Sequence, residues 1–395
     1  MASSSLSRNF VAMILVGLVV AFCGLPMARG QQEVSGKYWV YFGTYTGGGS
    51  EGIYAVEFDS KTGKTGEVKL VAETIQPSFV ALHPNGKFLY AVNETVEYQG
   101  KPSGYVTAFS IDPQTAELTE LNQQPSLGGA PCHLIVDSEG KYVLVANYVG
   151  GNVMSLGLNA DGKLVPSESS IQHEGKSVNA QRQEGPHAHS INLDPSGRFA
   201  IAADLGTDRL YVHQYDAGEL TVRPDAETVL KPGAGPRHFA FHPNGRNAFV
   251  INELHSTLTA LAWDSNAGKF KMLETRSTLP GIEVPGNSTA EVVVHPSGKW
   301  VYGSNRGHDS LAIFGWDDKK QAFKPAVAHQ KTLGKTPRNF SIDPTGRYLF
   351  AANQSSGFVT LFEINQETGG LTEVKKISVP NPVCVRFLSN AGTSE

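Results

Sequence analysis

A short pattern with a fixed internal spacing recurs six times along this chain. In the copy that begins at Pro236, a His-Pro-Asn-Gly turn starts six residues later, and Asn252 lies sixteen residues after the proline. The six copies begin at Pro77, Pro131, Ala188, Pro236, Thr289 and Pro337. All six keep both distances, although successive copies start 48 to 57 residues apart. A spacing that is kept within copies but not between them indicates one supersecondary unit per copy, joined by loops of different lengths.

Each copy predicts antiparallel strands. The copy at Pro236 has two apolar runs, HFAF and NAFVIN, on either side of its turn, and a third run, TLTALAWD, follows. Runs rich in Val, Phe, Tyr and Ala that flank Asp or His, Pro and Gly are typical of hairpins. A weaker fourth run completes the unit, and four antiparallel strands in roughly fifty residues indicate a β-propeller blade. We expect no helix after residue 30, because no 3.6-residue period is sustained there.

The two ends of the chain predict one further blade. YWVYFGTYT (38–46) resembles the second strand of a blade, and EGIYAVEFD (51–59) resembles the third. The missing first strand can come from NPVCVRFLSN (381–390), so that pairing of the N- and C-terminal strands closes the ring. We therefore predict an all-β fold, a seven-bladed β-propeller with four antiparallel strands per blade, as a single domain over residues 31–395.

The first 30 residues predict export. Arg8 precedes an apolar run over 10–25, and Ala28-Arg29-Gly30 follows it, which is typical of a signal peptide (1–30) cleaved before Gln31. The alternative is an uncleaved membrane anchor, because the apolar run is near the lower limit for crossing a bilayer. A lipid-modified Cys23 is disfavoured by the bulky Phe22 before it.

Charge and cysteine content exclude some classes of partner. The formal charge is −4, and removal of residues 1–30 takes away two arginines and no acidic residue, which leaves −6. A mildly acidic chain has no electrostatic surface for nucleic acid, and no apolar run after residue 30 is long enough to span a membrane. Cys132 and Cys384 lie too far apart in sequence to indicate a disulfide framework. The oligomeric state stays open.

The blade topology predicts a polar pocket at one mouth of the central channel. The first strand of a blade leaves one face of the disc and the second returns to it, so the residues at positions +1, +2 and +17 of each copy should meet there. Position +1 holds Ser78, Cys132, His189, Arg237, Ala290 and Arg338. Position +2 adds His133, His238, Glu291 and Asn339. Position +17 holds Glu94, Tyr148, Leu205, Glu253, Arg306 and Gln354.

Arg237, Glu253 and His189 are the candidate functional set from this pattern. A guanidinium offers several fixed donors, so the arginines indicate an anionic or carbonyl-rich ligand. A carboxylate held among arginines should stay ionised and could act as a base toward water. The structural alternative is a scaffold of Arg–Glu pairs between neighbouring blades.

Other polar residues of the repeat are interpreted as structural. The turn histidines His83, His242 and His295 occupy a slot that is Asp in other copies, so we assign them to turn capping. The asparagines at position +16, such as Asn252, should bond the backbone at the strand end. Cys132 is more consistent with a small buried thiol than with a nucleophile. The HAH sequence at 187–189 is too small a set of ligands to indicate a metal site.

Several segments resemble a known family. These are VYFGTYT (40–46), GAPCHL (129–134), RQEGPHAHS (182–190), GAGPRHFAFHPNG (233–245) and VYGSNRGHDSLAIF (301–314). They resemble the seven-bladed lactonases, a group that includes the propeller-type bacterial 6-phosphogluconolactonase and the fungal carboxy-cis,cis-muconate cyclase. The resemblance covers nearly all of the mature chain. It implies His189, Glu253, Arg237 and Arg306 as catalytic residues, and His133, His187 and Arg338 as substrate-binding residues.

The chemistry implied by the resemblance is the opening of a sugar lactone by water, or the related lactone-forming cyclisation, without cofactor or metal. Glu253 would take a proton from the attacking water, and Arg237 and Arg306 would hold an anionic substituent and stabilise the developing oxyanion. His189 would donate to the ring oxygen that leaves. The reverse assignment of acid and base to Glu253 and His189 fits the sequence equally well.

Three interpretations remain open at this point: a lactonase whose lactone is unspecified, a propeller that uses the same mouth without lactone hydrolysis, and an enzyme that depends on calcium or a quinone. An exported protein would not be expected to meet 6-phosphogluconolactone, so the resemblance implies a lactonase more strongly than any particular lactone. A secreted propeller that binds a ligand or protein without chemistry, or a muconate-type cycloisomerase, would use the same mouth. A calcium- or quinone-dependent sugar enzyme on the same fold is the third.

Overall fold

The computed structural model describes residues 1–2, 36–166, 169–282 and 284–390. In this part of the chain seven sheets of four or five strands form the blades, and a two-stranded hairpin pairs Glu97–Tyr98 with Lys101–Pro102. The helical segments of the described residues are two three-residue 3₁₀ turns, Pro224–Ala226 and Gln354–Ser356. The predicted all-β seven-bladed propeller is confirmed. Residues 3–30 of the predicted signal peptide lie outside the described residues.

The blades are numbered in chain order, and each is given from its innermost strand outward. The first four comprise Pro382–Ser389, Lys37–Thr44, Gly52–Asp59 and Lys64–Thr65 with Lys69–Glu73 (blade 1); Val80–Leu82, Phe88–Asn93, Tyr105–Ile111 and Leu118–Pro125 (blade 2); Pro131–Val136, Tyr142–Asn147, Asn152–Leu158 and Leu164–Val165 with Ser170–Gln172 (blade 3); and Ala188–Leu193, Phe199–Asp204, Arg209–Asp216 and Glu219–Thr221 with Thr228–Val229 (blade 4).

The remaining three blades have four strands each. They comprise Pro236–Phe241, Asn247–Asn252, Thr257–Asp264 and Lys269–Ser277 (blade 5); Ser288–Val294, Trp300–Arg306, Ser310–Asp317 and Ala322–Lys331 (blade 6); and Pro337–Ile342, Tyr348–Asn353, Phe358–Ile364 and Leu371–Ser378 (blade 7). The innermost strands of neighbouring blades contact one another around the whole ring. The channel is therefore lined by these first strands.

Blade 1 closes the ring as the sequence predicts. Lys37–Thr44 pairs with Gly52–Asp59 on one side and antiparallel with Pro382–Ser389 on the other. Thr44 lies opposite Pro382, and Tyr38 lies opposite Ser389. The backbone N–H of Asn390 donates to the carbonyl of Lys37 (2.9 Å). Both described ends of the ring therefore lie on the face of the repeated turns, away from the Pro382 end.

The repeated turns tie neighbouring blades together. Nδ1 of His242 accepts the N–H of Asn244 (3.1 Å), and its Nε2 donates to the carbonyl of Gly298 in the next blade (2.8 Å). Gly245 in this turn has φ +68°, a backbone conformation that favours glycine. His83 and His295 make the equivalent bonds to the carbonyls of Gly140 and Gly346. The turn histidines therefore cap the turn and also bind the adjacent blade.

The asparagines at position +16 fix the opposite ends of the strands. Nδ2 of Asn147 donates to the carbonyl of Ser126 (2.8 Å), and Nδ2 of Asn305 donates to that of Thr278 (2.9 Å). Each bond holds the end of the second strand against the segment that leads from the preceding blade into the same blade. The predicted structural role of these asparagines fits these contacts.

The hydrophobic core lies between adjacent blades. The ring of Phe249 in blade 5 meets Trp316 of blade 6 edge to face, with centroids 4.9 Å apart. Phe58 of blade 1 meets Phe350 of blade 7 in the same way, also at 4.9 Å. Such aromatic pairs add to the free energy of burial, so the blades are held by side chains as well as by ring closure. Among the described residues, the structure contains no helix that could cross a membrane.

Candidate active site

Strand register brings the first residue of each copy opposite position +16. Pro236 pairs with Asn252, and Thr289 pairs with Asn305. The next residues along each strand therefore lie at the same mouth of the channel. The pairing shifts just after the first residue in six blades. The shifts lie between Pro131 and His133, Ala188 and Ser190, Pro236 and Phe239, Thr289 and Val292, Pro337 and Asn339, and, in blade 1, Pro382 and Cys384. Such β-bulges redirect side chains next to functional sites.

Glu253 lies at this mouth between three arginines. Its Oε2 is 3.0 Å from Nε of Arg237 and 3.0 Å from Nη2 of Arg306, and its Oε1 accepts from Nη2 of Arg182 at 2.7 Å. We call these four residues the mouth cluster. Burial raises the pKa of the Glu253 carboxyl, but the three guanidinium groups outweigh burial and lower that pKa to about 2. The carboxylate is therefore ionised at neutral pH.

The backbone of blade 6 orients two of the arginines. Nη1 of Arg237 donates to the carbonyl of Ala290 (2.7 Å), and Nη2 of Arg306 donates to that of Thr289 (2.7 Å). Burial lowers the pKa of Arg306 to about 9, so it remains a cation at neutral pH. Its Nε is buried and has no hydrogen-bond partner among the described residues. A buried donor without an acceptor is costly, and an anionic ligand oxygen would satisfy it.

His189 and His187 flank Tyr148. The Tyr148 ring stacks on His187 (centroids 4.5 Å apart) and meets His189 nearly edge-on (5.3 Å). The Tyr148 hydroxyl accepts from Arg182 (3.1 Å), which connects both histidines to the mouth cluster. Nδ1 of His187 donates to the Tyr148 carbonyl (2.9 Å). Burial, followed by the charge of Arg237, lowers the pKa of His189 well below 6.5, so His189 is neutral at pH 7.

Arg338 lies on another side of the mouth. Its Nη2 donates to the Tyr45 hydroxyl (2.8 Å), which in turn donates to Glu94 (2.8 Å). Ser78 also donates to this carboxylate. Arg338 and Arg237 line one small cavity together with Tyr45, Ser78, Phe79, Glu94, Cys132, His238 and Val383.

His133 lies deeper in the channel than the other candidates. Its ring packs on Phe79 (centroids 4.4 Å apart) and beside His238 (5.3 Å), and its Nδ1 accepts the N–H of Ile191 (3.3 Å). The structure thus brings Arg237, Glu253 and Arg306 into direct contact. Tyr148 connects His187 and His189 to this group. The structure places His133 below this group.

Cys132 is a buried free thiol, and Cys384 is also free and buried. Burial raises the pKa of the Cys132 thiol far above its ordinary value. The thiolate is the nucleophilic form of cysteine, so the structural interpretation of Cys132 fits its surroundings better than a nucleophilic one.

The predicted catalytic and substrate-binding residues did not include Arg182, Tyr148, Tyr45 or His238, although the repeat spacing had placed Tyr148 and His238 at the mouth. Arg182 belongs to a loop outside the repeat spacing, although it stands in the quoted RQEGPHAHS segment. Tyr45 follows Thr44, which pairs with Pro382, and therefore occupies position +17 of the divided blade 1. Applying the spacing to that blade would have found it.

The family model that matches this chain describes a lactonase with a seven-bladed β-propeller, over residues 39–387. The 6-phosphogluconolactonase of Bacillus subtilis is 40% identical over 355 residues, which cover 89% of this chain and 99% of the relative. The 6-phosphogluconolactonase of Formosa agariphila is 33% identical over 335 residues, 84% of this chain and 93% of the relative.

Solved structures give the same picture. The crystal structure of a Bacteroides fragilis protein superposes with a TM-score of 0.83 at 33% identity and covers 90% of this chain and 99% of that one. The structure described as the periplasmic gluconolactonase of Pseudomonas aeruginosa has a TM-score of 0.82 at 29% identity, with 89% and 99% covered.

Proposed function

We infer that this protein hydrolyses a lactone, because the chain belongs to the family of seven-bladed β-propeller lactonases. The reaction is the opening of a cyclic carboxylic ester by water. Relatives named as 6-phosphogluconolactonase and gluconolactonase favour hydrolysis over a binding role or a muconate-type cyclisation. The observation in this chain that supports the proposal is one ionised carboxylate held by three arginines at the mouth of the channel.

The charge of the mouth favours an anionic lactone. Four arginines (Arg182, Arg237, Arg306 and Arg338) face two glutamates (Glu94 and Glu253), an excess of two positive charges. A carboxylate, a phosphate or the oxyanion that forms at the lactone carbonyl would offset this excess.

The arginines supply electrostatic stabilisation. In our proposal, Arg237 and Arg306 donate to the lactone carbonyl oxygen as it becomes negative, and Glu253 fixes their orientation. Glu253 has no proton to donate, because its pKa is about 2, so the assignment in which it is the acid is disfavoured. A carboxylate with so low a pKa is also a weak base. His189, neutral beside the cluster, donates a hydrogen bond to the ring oxygen that leaves.

We propose a sugar lactone outside the cytoplasm as the substrate. Residues 1–30 are typical of a signal peptide, and one relative is described as a periplasmic gluconolactonase. An exported enzyme would meet the lactone without its phosphate, so a carboxylate on the sugar, or the oxyanion that forms at the lactone carbonyl, would offset the positive charge of the mouth. N-terminal sequencing of the exported protein should begin at Gln31, whereas a retained leader would contradict cleavage.

A turnover screen with the protein from Gln31 onward tests the activity. The panel contains gluconolactone, 6-phosphogluconolactone and simple aliphatic lactones, each corrected for spontaneous hydrolysis. We expect hydrolysis of a sugar lactone, and a fall in kcat/KM of about 10²-fold or more for both Arg237→Ala and Glu253→Gln. The first removes a preorganised donor, which is worth this much, and the second removes the carboxylate that orients Arg237 and Arg306.

The matched control is Arg246→Ala, which removes an exposed arginine of the same blade that pairs with Asp318. This variant should keep its turnover. Binding of lactones without turnover, or full hydrolysis by both mouth variants with the ring folded, would contradict the proposal.

A further inference from the structure

A second buried polar group lies just below the mouth cluster, at position +2 of three successive blades. His238 of blade 5, Glu291 of blade 6 and Asn339 of blade 7 are each less than one-tenth exposed. Nδ1 of His238 lies 2.9 Å from Oε1 of Glu291, and Nδ2 of Asn339 donates to Oε2 of the same carboxyl. We call these three residues the floor group. None of them has a role in the mechanism above.

Fixed donors determine the protonation of the floor group. The backbone N–H of Val292 donates to Oε1 of Glu291 (2.9 Å). Oδ1 of Asn339 accepts the N–H of Val385 (2.9 Å), which turns the NH₂ of Asn339 toward Oε2. Both oxygens of Glu291 therefore act as acceptors, as in a carboxylate. We therefore assign Glu291 as a carboxylate and the proton of His238 to Nδ1, which leaves a lone pair on Nε2.

That lone pair has no partner. Nε2 of His238 is buried without a hydrogen bond among the described residues, although His238 is only 4% exposed. The imidazole lines the cavity below the mouth together with Ser78, Cys132 and Arg237. This cavity has a volume of about 10 Å³, roughly the room that one water molecule needs. A buried acceptor next to a water-sized polar cavity indicates a water site.

We propose that His238, oriented by Glu291, is a further catalytic residue of the lactonase: its Nε2 holds the attacking water and accepts its proton. This inference rests on the proposed lactone hydrolysis. The water oxygen bonds to the lactone carbonyl carbon, the carbonyl electron pair moves onto its oxygen, and the water proton passes to Nε2. When the tetrahedral intermediate collapses, the ring C–O bond breaks, and the ring oxygen takes up that proton as a hydroxyl. His238 is neutral again, and one water has been consumed.

The charges around His238 connect its basicity to the substrate. Burial, followed by the charges of four arginines, lowers its pKa well below 6.5. An anionic lactone bound among these arginines would offset their charge and raise the proton affinity of the imidazole. The charged and titratable groups that face His238 are Arg237, Arg306, Arg338, Arg386, Glu291, His133 and His189. The base would thus be strengthened when the substrate binds.

His238→Gln is the direct test, because glutamine keeps a polar side chain but cannot accept a proton at neutral pH. Loss of a general base lowers the rate by about 10² to 10⁴-fold, so we expect a fall of this size in kcat with KM changed by less than about threefold. The matched control is His242→Gln, the same substitution in the same blade at the opposite face, which should keep kcat. Thermal unfolding of both variants checks the fold.

The pH dependence separates a base from a structural residue. The fall of kcat/KM at acidic pH reports the pKa of the base in the free enzyme, and the fall of kcat reports its pKa in the substrate complex. Because the bound anion raises the proton affinity of His238, the acidic fall of kcat should lie at higher pH than that of kcat/KM. Glu291→Gln removes the anion that stabilises the protonated imidazole. The pKa of His238 should therefore fall, and the acidic fall of kcat/KM should move to lower pH. Nitrogen NMR of the folded wild-type protein should find the proton of His238 on Nδ1, a reading that needs no variant.

The outcomes distinguish this inference from the proposed function. If the wild type hydrolyses a lactone and folded His238→Gln keeps kcat, only the role of His238 is wrong. A proton on Nε2 at neutral pH would also overturn that role. If the wild type hydrolyses no lactone, the proposed function fails and the role of His238 fails with it.

Discussion

Arg182 is the member of the mouth cluster that solvent reaches most. Its side chain is 40% exposed, whereas those of Arg237 and Glu253 are almost fully buried. It joins two parts of the site, because its Nη2 donates both to Glu253 and to the Tyr148 hydroxyl that lies beside His187 and His189. A guanidinium in this place can meet an arriving anion before the buried arginines do.

We expect Arg182→Gln to lower kcat/KM for an anionic lactone by about tenfold with little loss of stability, because Glu253 keeps its ion pairs with Arg237 and Arg306. The effect should appear mainly in KM and shrink at high salt. The control is Arg209→Gln, which breaks a pair with Glu227 at a similar exposure of 30% on blade 4. Equal effects of the two substitutions would contradict a role for Arg182 at the mouth.

Blade 4 differs from blades 2, 3, 5, 6 and 7 at one structural position. Position +16 holds Asp204 there, whereas five other copies hold asparagine. Oδ2 of Asp204 is 2.7 Å from Nδ1 of His173, and Oδ1 accepts the N–H groups of His187 and Thr207. Nε2 of His173 lies 3.3 Å from Nε2 of His213. A carboxylate fits here because every neighbour of its two oxygens is a donor.

We expect Asp204→Asn to destabilise the protein, although it introduces the residue of the other blades. The amide oxygen of asparagine can still accept the N–H groups of His187 and Thr207. Its NH₂ group, however, would face the Nδ1–H of His173, so that two donors would meet and the hydrogen bond would be lost. A buried hydrogen bond to a charged group contributes about 1.5 to 3 kcal/mol, and urea unfolding should show a loss of this size. In a His173→Gln background the same substitution should cost less, and an equal cost would contradict the pairing.

Strand ends were the predictable part of the site. Arg237, Glu253 and Arg306 lie a fixed number of residues from the repeated turn. Because hydrogen bonding fixes the strand register, this number of residues determines where each side chain lies in the blade. Arg182 could not be placed in this way, because it lies in the loop between the last strand of blade 3 and the first strand of blade 4, whose path no spacing determines. The partnership of His238 with Glu291 depends on contact between blades 5 and 6, which the repeat alone does not specify.

The whole molecule buries several neutral imidazoles. Burial lowers the pKa of His133, His189 and His238 well below 6.5, and that of His213 to about 3. In the unfolded chain histidine titrates near 6.5, so below this pH the unfolded state binds protons that the folded state does not. Stability is therefore complete above pH 6.5 and is lost as the pH falls toward the folded pKa values.

We expect the free energy of unfolding to fall steeply between pH 6.5 and 5. At most, each imidazole lowers the free energy of unfolding by about 1.4 kcal/mol per pH unit, and the four together lower it by about 5 kcal/mol per pH unit. Glu291, whose pKa burial raises, acts in the opposite direction. Urea unfolding at several pH values measures the slope, which should be smaller in His238→Gln. A flat profile over this range would contradict neutral buried imidazoles.

The position of blade 1, which closes the ring, also determines where the enzyme can be attached to a support without covering the mouth. Lys37 and Asn390 are joined by a hydrogen bond at the face of the repeated turns, and the mouth cluster opens at the other face. An immobilisation resin or fusion partner joined to the chain directly beside Lys37 or Asn390 would therefore lie at the face opposite the mouth cluster. The substrate could still reach the mouth cluster at the opposite face, so the length of the linker should have little effect on turnover.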